Sequence, residues 1–222
     1  MKIKDRIQPI LAWFIKHQPD AATELDYKNP YELLVAVILS AQCTDKRVNV
    51  VTPELFKRYP NVKDLASSTA DDIYPYIRSV SYPGSKAKHL HGMAVMVMDK
   101  FNGRLPETVD LLQELPGVGR KTANVVASVV FDIPAMPVDT HVFRVSARLG
   151  LTKGARNPLM AEKQLVKCIP KDLLSVAHHW LILHGRYICV ARKPKCSDCG
   201  ISEFCLFFEK KQKAAEKKLL KN

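Results

Sequence analysis

The sequence predicts an all-α protein. Residues that cap helices recur along the chain ahead of apolar runs, which is how helix starts are marked in a sequence. No segment alternates strictly between apolar and polar residues, and no hairpin turn joins two candidate strands. The valine-rich run VVASVV (125–130) could form a strand by propensity alone. Because no alternating pattern or hairpin turn supports a sheet, we assign it to a helix.

The N-terminal segment predicts an amphipathic helix. Its apolar side chains recur at helical spacing, at Ile3, Ile7, Ile10, Leu11 and Phe14. The segment has basic residues but lacks the long apolar core and small-residue cleavage site of a secretory signal. We therefore expect a helix of the mature protein.

Later helices are marked by their first residues. Asn29 can cap a helix in which Pro30 takes the first position and Glu32 the third. Thr69 precedes carboxylates that suit the positive end of a helix, among them Asp72. Further helices are expected over 109–115, from Lys121 onward, after Asp139, and over 159–168 and 172–184.

The charge balance indicates a polyanionic partner. The chain has 222 residues, enough for one large domain or two small ones, with 34 basic against 22 acidic residues and a net charge of +12. Such an excess favours nucleic acid or an anionic membrane surface, although a soluble basic protein without such a partner is the alternative. The longest apolar stretches cover nine residues, about half a bilayer crossing, so no membrane span is expected.

The segment ELPGVGRKTANVV (114–126) predicts a helix–hairpin–helix. One helix ends near Leu115, a turn contains Gly117 and Gly119, and a second helix starts near Arg120. Glycine permits positive φ and lets backbone N–H groups approach a phosphate, while the second helix adds its positive end. Leu115 and Val118 would anchor the hairpin in the core. A purely structural turn between helices is the alternative.

Lys121 and Asp139 form a candidate catalytic pair. A lysine at the positive end of a helix, near apolar residues, loses its proton more easily than a free one. The neutral amine is a nucleophile that can form a Schiff base, and a carboxylate can stabilise the developing positive charge. Asp139 follows 18 residues later, after a proline-rich loop. The alternative for Lys121 is an ordinary surface lysine.

The six cysteines indicate a metal centre rather than disulfides. Without a secretory signal the cytoplasm is the expected location, where thiols stay reduced. Four cysteines follow C-x6-C-x2-C-x5-C within 17 residues, a set that binds zinc or an iron–sulfur cluster: Cys189, Cys196, Cys199 and Cys205. Cys43 and Cys168 fall outside this spacing and are expected to be core thiols.

These motifs together resemble a known family. LPGVGRKTANVV followed by VDTHVFRV, with SAQCTD (40–45), HHWLILHGRYIC (178–189) and the cysteine set, is similar to the endonuclease III branch of the helix–hairpin–helix DNA glycosylases. The resemblance covers about residues 20–207. It implies a six-helix domain over 22–132, an iron–sulfur domain formed by 1–21 and 133–222, and a DNA-binding cleft between them.

The resemblance also implies an activity. Members of the family excise oxidised pyrimidines from double-stranded DNA and cleave the abasic strand by β-elimination, here through a Schiff base on Lys121 assisted by Asp139. The cofactor would be a 4Fe–4S cluster on the four cysteines, in a monomeric, bacterial-type cytoplasmic enzyme. The expected DNA-contact residues are Gln42, Tyr82, Leu115, Gly117, Gly119 and Lys193.

One loop departs from the family pattern, and two other functions remain open. Ser81 stands where the family commonly has glycine, and Pro83-Gly84 reshapes the loop that carries Tyr82. One alternative is a monofunctional mismatch or adenine glycosylase, although such relatives usually lack a lysine at position 121. The other is a non-catalytic iron–sulfur protein that only binds DNA.

Overall fold

The structure, a computed structural model, describes residues 2–219. All regular secondary structure in this range is helical. The helices are α1 Ile3–His17, α2 Pro30–Ser40, α3 Asp45–Arg58, α4 Val62–Ala66, α5 Ala70–Ile77, α6 Pro83–Phe101, α7 Val109–Leu112, α8 Arg120–Val130, α9 Thr140–Leu149, α10 Pro158–Cys168, α11 Leu174–Tyr187 and α12 Leu206–Leu219. Short 3₁₀ turns lie at Lys171–Leu173, Cys196–Asp198 and Ser202–Phe204. The predicted all-α class is confirmed, since these residues include no strand.

The chain forms two compact units. One is Thr23–Ile133, and the other joins the N-terminal segment up to Ala22 to the segment that begins at Pro134. The first contains the seven helices α2 to α8, whereas six were expected. Two of the seven, α4 and α7, are short helices of about one turn. No helix within residues 2–219 has both the length and the apolar character that crossing a bilayer requires.

Helix α2 is the centre of the Thr23–Ile133 unit. Its nine residues from Tyr31 to Leu39 are all buried, so the helix is enclosed on every side. Burying a leucine completely stabilises the fold by about 1.5–3 kcal/mol, and three leucines of α2 are fully buried. The helix starts as predicted, because the Asn29 side chain accepts a hydrogen bond from the Glu32 N–H at 2.9 Å.

Helix α1 belongs to the core of the other unit. The Phe14 ring stacks on Trp180 of α11 with ring centroids 5.5 Å apart, and the Trp180 indole donates to the Gln18 carbonyl at 2.7 Å. The buried Arg6 guanidinium pairs with Glu209 of α12 at 2.5 Å. These contacts join α1, near the N-terminus, to α11 and α12, near the C-terminus, within one unit. The basic C-terminal segment is helical as far as Leu219, and residues 220–222 lie outside the described residues.

Candidate nucleic-acid interface and iron–sulfur site

The glycine hairpin joins α7 to α8 with two glycines of different conformation. Gly117 has φ +79°, a conformation that glycine permits. Gly119 is the N-cap of α8 with φ −84°, so it does not use that freedom. A Cβ atom added to Gly117 would lie 2.8 Å from the His89 Cβ, whereas one added to Gly119 would meet nothing within 4 Å. The backbone of Gly119 is therefore open to an approaching group.

The apolar residues of the hairpin anchor it from inside. Leu115 and Val118 are buried, with 2% and 5% of their surface exposed, as the anchoring prediction requires. Leu115 was also expected to contact DNA; its side chain lies in the core, so only its backbone is left to make such a contact. Its carbonyl instead accepts a hydrogen bond from the Val118 N–H at 3.0 Å, which closes the turn.

Lys121 lies in the first turn of α8. Its side chain is half-buried, and the seven residues that follow, 122–128, are all buried. The first N–H groups of a helix have no partner within the helix and carry its partial positive charge. No side chain caps this end, since the N-cap is Gly119. The amine therefore stands at a helix end suited to bind an anion.

Asp139 is the N-cap of α9. Its Oδ1 accepts a hydrogen bond from the Val142 N–H at 2.8 Å, and the side chain is half-buried. The preceding segment, 135–138, is buried, and the His178 ring donates to the Pro137 carbonyl at 2.9 Å. Contacts before and after Asp139 in the chain therefore hold its backbone and carboxylate in place. Asp139 belongs to the unit that begins at Pro134, whereas Lys121 belongs to the Thr23–Ile133 unit.

Gln42 and Tyr82 occupy exposed loops of the Thr23–Ile133 unit. Each has φ of 55°, a left-handed conformation that is uncommon for residues other than glycine. Tyr82 is 64% exposed. The Ser81 hydroxyl donates to the Gln42 carbonyl at 2.7 Å, so the two loops are hydrogen-bonded to each other. No local sequence pattern indicates this contact, because the residues are 39 positions apart.

The four cysteines of 189–205 line one cavity. Its other lining residues come from α9, α11, the start of α12 and the cysteine-bearing loop itself. Burial raises the pKa of Cys199 to about 11 and that of Cys205 above its ordinary value, so bound metal must displace their protons. Within residues 2–219 no three possible ligands are grouped closely enough to hold a single metal ion. Four thiols around one cavity fit a larger cluster.

Two donors approach these sulfurs. The Arg148 guanidinium lies 3.4 Å from the Cys189 sulfur and also donates to the Val190 and Ala191 carbonyls at 2.8 Å. The His184 ring lies 3.6 Å from the Cys199 sulfur, and burial lowers the pKa of His184 to about 4. The sequence prediction missed Arg148, because nothing in its local pattern separates it from a surface arginine. Both groups can orient the cysteine ligands.

Comparison with known proteins identifies the family. Residues 35–171 match the HhH-GPD superfamily of base excision DNA repair proteins, and residues 189–205 match the iron–sulfur binding domain of endonuclease III. The chain is 46% identical to endonuclease III of Rickettsia felis over 202 residues, which cover 91% of this chain and 94% of that protein. The chain belongs to the endonuclease III family.

Other members of the endonuclease III family are similarly close. The enzyme of Bacillus subtilis is 45% identical over 88% of this chain and 89% of its own length. A solved structure described as a trapped endonuclease III–DNA covalent intermediate has a TM-score of 0.89 at 45% identity, covering 96% of this chain and all of that one. A thermostable thymine-DNA glycosylase, 23% identical with a TM-score of 0.84, shares the fold.

Family membership confirms the main predictions from the sequence. The protein is a base-excision repair enzyme, a bifunctional DNA glycosylase with abasic-site lyase activity. It carries a 4Fe–4S cluster, and the cysteine-lined cavity fits a group of this kind. The monofunctional and non-catalytic alternatives are therefore set aside.

Proposed function

We propose that this protein removes oxidised or ring-damaged pyrimidines from double-stranded DNA and cleaves the resulting abasic strand through an imine on Lys121. The observation that carries the proposal is the position of Lys121 in the first turn of α8, directly after the glycine hairpin. A phosphate held by the hairpin would fix the DNA backbone beside this amine. The relatives whose structures contain DNA support double-stranded DNA as the partner.

The hairpin is suited to hold a phosphate without reading sequence. Gly119 leaves the N-terminal end of α8 uncovered by any side chain, and its surroundings are open. Helix N-termini bind anions through backbone N–H groups and the helix dipole. Contacts of this kind position a protein on DNA and specify no base. The excess of basic residues, +12 overall, adds attraction at longer range.

In the proposed reaction the Lys121 amine is the nucleophile. Its nitrogen bonds to the anomeric carbon and loses a proton as the bond to the damaged base breaks, and the base leaves with the bonding electrons and takes up a proton. The sugar ring opens to an imine. Loss of a proton from the adjacent sugar carbon then expels the 3′ phosphate by β-elimination, and water releases the lysine. Hydrolysis of the imine regenerates the free amine, so the enzyme turns over.

Asp139 is proposed as the carboxylate that assists this chemistry. Departure of the base leaves positive charge on the sugar, and a fixed carboxylate stabilises such charge. The hydrogen bond from the Val142 N–H holds the carboxylate in one orientation. It uses Oδ1, and Oδ2 takes no part in that bond. A fixed group needs no reorganisation as the charge develops.

The cysteine cluster is proposed to have a structural role. The ligands would be the four thiolates of the cavity, Cys189, Cys196, Cys199 and Cys205. When bound, the cluster supplies four metal–sulfur bonds that cross-link the loop. Between the first two ligands lie exposed basic residues, Arg192, Lys193 and Lys195, which the loop would present to DNA phosphates. We further propose a cytoplasmic monomer, in which all six free cysteines stay reduced.

The N-cap geometry of Asp139 makes a sharp test. Asn caps a helix as well as Asp does, whereas Ala loses about 1 kcal/mol. Asp139→Asn should keep the thermal stability and DNA affinity of the wild type but lower the single-turnover excision rate on duplex DNA containing a 5,6-saturated thymine by about 10²-fold or more. Asp139→Ala should lose stability as well. Equal losses of folding and activity in Asp139→Asn would contradict the proposed catalytic role.

A further inference from the structure

The two exposed loops that carry Gln42 and Tyr82 each hold a strained backbone. Gln42 follows the last turn of α2, and Tyr82 is the N-cap of α6. Both have φ of 55°. Residues other than glycine adopt this conformation only where the surrounding structure enforces it. Tyr82 donates no side-chain cap to α6, so its conformation is not explained by helix capping.

One hydrogen bond joins the two loops. The Ser81 hydroxyl donates to the Gln42 carbonyl at 2.7 Å. Ser81 directly precedes Tyr82 in the chain, so this one hydrogen bond restrains the carbonyl of the first loop and the backbone entering the second. A glycine at position 81 would have no hydroxyl and could not make the bond.

A buried lysine holds the base of the same loop. Lys86 of α6 is only 4% exposed, and its ammonium donates to the Leu39 and Ala41 carbonyls, each at 2.7 Å. The last carbonyls of a helix lack partners within the helix and carry partial negative charge. The ammonium therefore stabilises the end of α2 immediately before Gln42. Both loops are thus fastened to each other and to α6.

We propose that Ser81 is a positioning residue that joins the Gln42 and Tyr82 loops into one preorganised wedge. The wedge fills the space left in the duplex when a damaged nucleotide leaves the stack. This inference rests on the proposed function and takes the expected DNA contacts of Gln42 and Tyr82 to be entry of their side chains into the duplex. A wedge that is ordered before binding loses less conformational entropy when it inserts. The bond therefore assists extrusion of the nucleotide rather than the chemistry at Lys121.

Ser81→Ala and Ser81→Thr make a matched pair, because threonine keeps the hydroxyl. Excision is measured in single turnovers on a duplex with a 5,6-saturated thymine paired to adenine, and on the same strand with that thymine in an unpaired bubble. Extrusion is easiest when the base is already unpaired. Ser81→Ala should slow excision from the paired duplex about three- to tenfold, as expected for one hydrogen bond. The bubble rate should hardly change, and Ser81→Thr should restore the paired rate.

The same comparison in a Gln42→Ala background shows whether the bond acts through the wedge. Without the Gln42 side chain, Ser81→Ala should have a smaller effect than in the wild type. Equal losses on paired and bubble substrates, no loss on either, or full additivity with Gln42→Ala would each overturn the inference while leaving the proposed function in place. A wild-type protein that excises the damaged base from neither substrate would overturn the proposed function itself.

Discussion

The side chain of His89 occupies the place that a side chain on Gly117 would need. A Cβ atom at Gly117 would lie 2.8 Å from the Cβ of His89 and 3.0 Å from its Cγ. Gly117 also has φ +79°, which disfavours every residue with a side chain. Glycine is therefore required here for two independent reasons, one of conformation and one of space.

Replacing Gly117 should destabilise the fold. Gly117→Ala places a residue with a Cβ in a left-handed conformation, which costs about 1–2 kcal/mol, and pushes the backbone of α6 and the hairpin apart. We expect the thermal midpoint to fall by about 3–8 °C, as a loss of that size does in a chain of this length. An unchanged melting temperature would show that the hairpin adjusts freely and that its two close contacts do not constrain it.

Replacing Gly119, unlike replacing Gly117, should not destabilise the fold. Aspartate is a favoured N-cap, so Gly119→Asp should leave the stability of α8 unchanged or raise it by about 0.5–1 kcal/mol. The same carboxylate would repel a phosphate at this helix end. DNA affinity should fall, and the slope of log affinity against log salt should decrease by about one unit, as for one lost phosphate contact.

The control for Gly119→Asp makes the same charge change at another helix start. Asn157 caps α10 and accepts from the Met160 N–H at 2.9 Å, so Asn157→Asp keeps the cap. Its salt slope should equal that of the wild type. If both variants lose affinity equally, the effect is one of net charge, and the hairpin does not hold a phosphate.

The sequence predicted elements whose signals are local. The starts of α2 and α5 follow from Asn29 and Thr69, each of which accepts a hydrogen bond from the third residue of its helix. The hairpin and the start of α8 were predicted from glycine spacing. By contrast, α6, the longest helix described, was not predicted at its start. Its N-cap is Tyr82 in a left-handed conformation, and Pro83-Gly84 has the composition of a turn.

Contacts between distant residues could not be predicted. In the sequence Lys86 belongs to the segment Lys86-Ala87-Lys88, which is typical of an exposed surface. In the structure it is buried, and its ammonium donates to the Leu39 and Ala41 carbonyls, more than 40 positions earlier in the chain. The same holds for the Ser81–Gln42 bond and for Arg148 beside Cys189. The resemblance to the family supplied residue roles but not these contacts, because they depend on how this chain packs its own helices.

The ion pair between Arg6 and Glu209 should make stability depend on pH in acid. Hydrogen bonds from Lys213 at 2.8 Å and Arg6 at 2.5 Å lower the pKa of Glu209 from 4.5 to about 2. Because this pKa is lower in the folded protein, the carboxylate stabilises the fold above about pH 4.5, and the contribution is lost as the pH falls toward about 2. Glu209→Gln should therefore be less stable than the wild type at pH 7.

Denaturant unfolding at several pH values checks this expectation. The difference between wild type and Glu209→Gln should shrink steadily below about pH 4.5. Glu203→Gln, which alters an exposed carboxylate in the same region, should match the wild type throughout. A gap that stays constant down to about pH 2 would mean that the carboxylate acts through packing rather than charge.

Substitution of one cysteine should distinguish cluster ligands from core thiols. Cys199 lines the cavity, whereas Cys168 packs against the core and its pKa is raised by burial. Cys199→Ser should lower bound iron and acid-labile sulfide and weaken the visible absorbance of the purified protein, since four thiolates hold the cluster. Cys168→Ser should retain the iron, the sulfide and the absorbance of the wild type. Full iron content in Cys199→Ser would remove this thiol from the ligand set.

Borohydride trapping on abasic-site DNA tests the central claim most directly. Reduction of an imine between the enzyme and the opened sugar gives a stable covalent adduct, visible as a shifted band. The wild type should form it, and Lys121→Gln should not. Lys63→Gln, which makes the same charge change at an exposed position on α4, should form it as the wild type does. An adduct that persists in Lys121→Gln at the wild-type level would place the nucleophile on another residue and contradict the account.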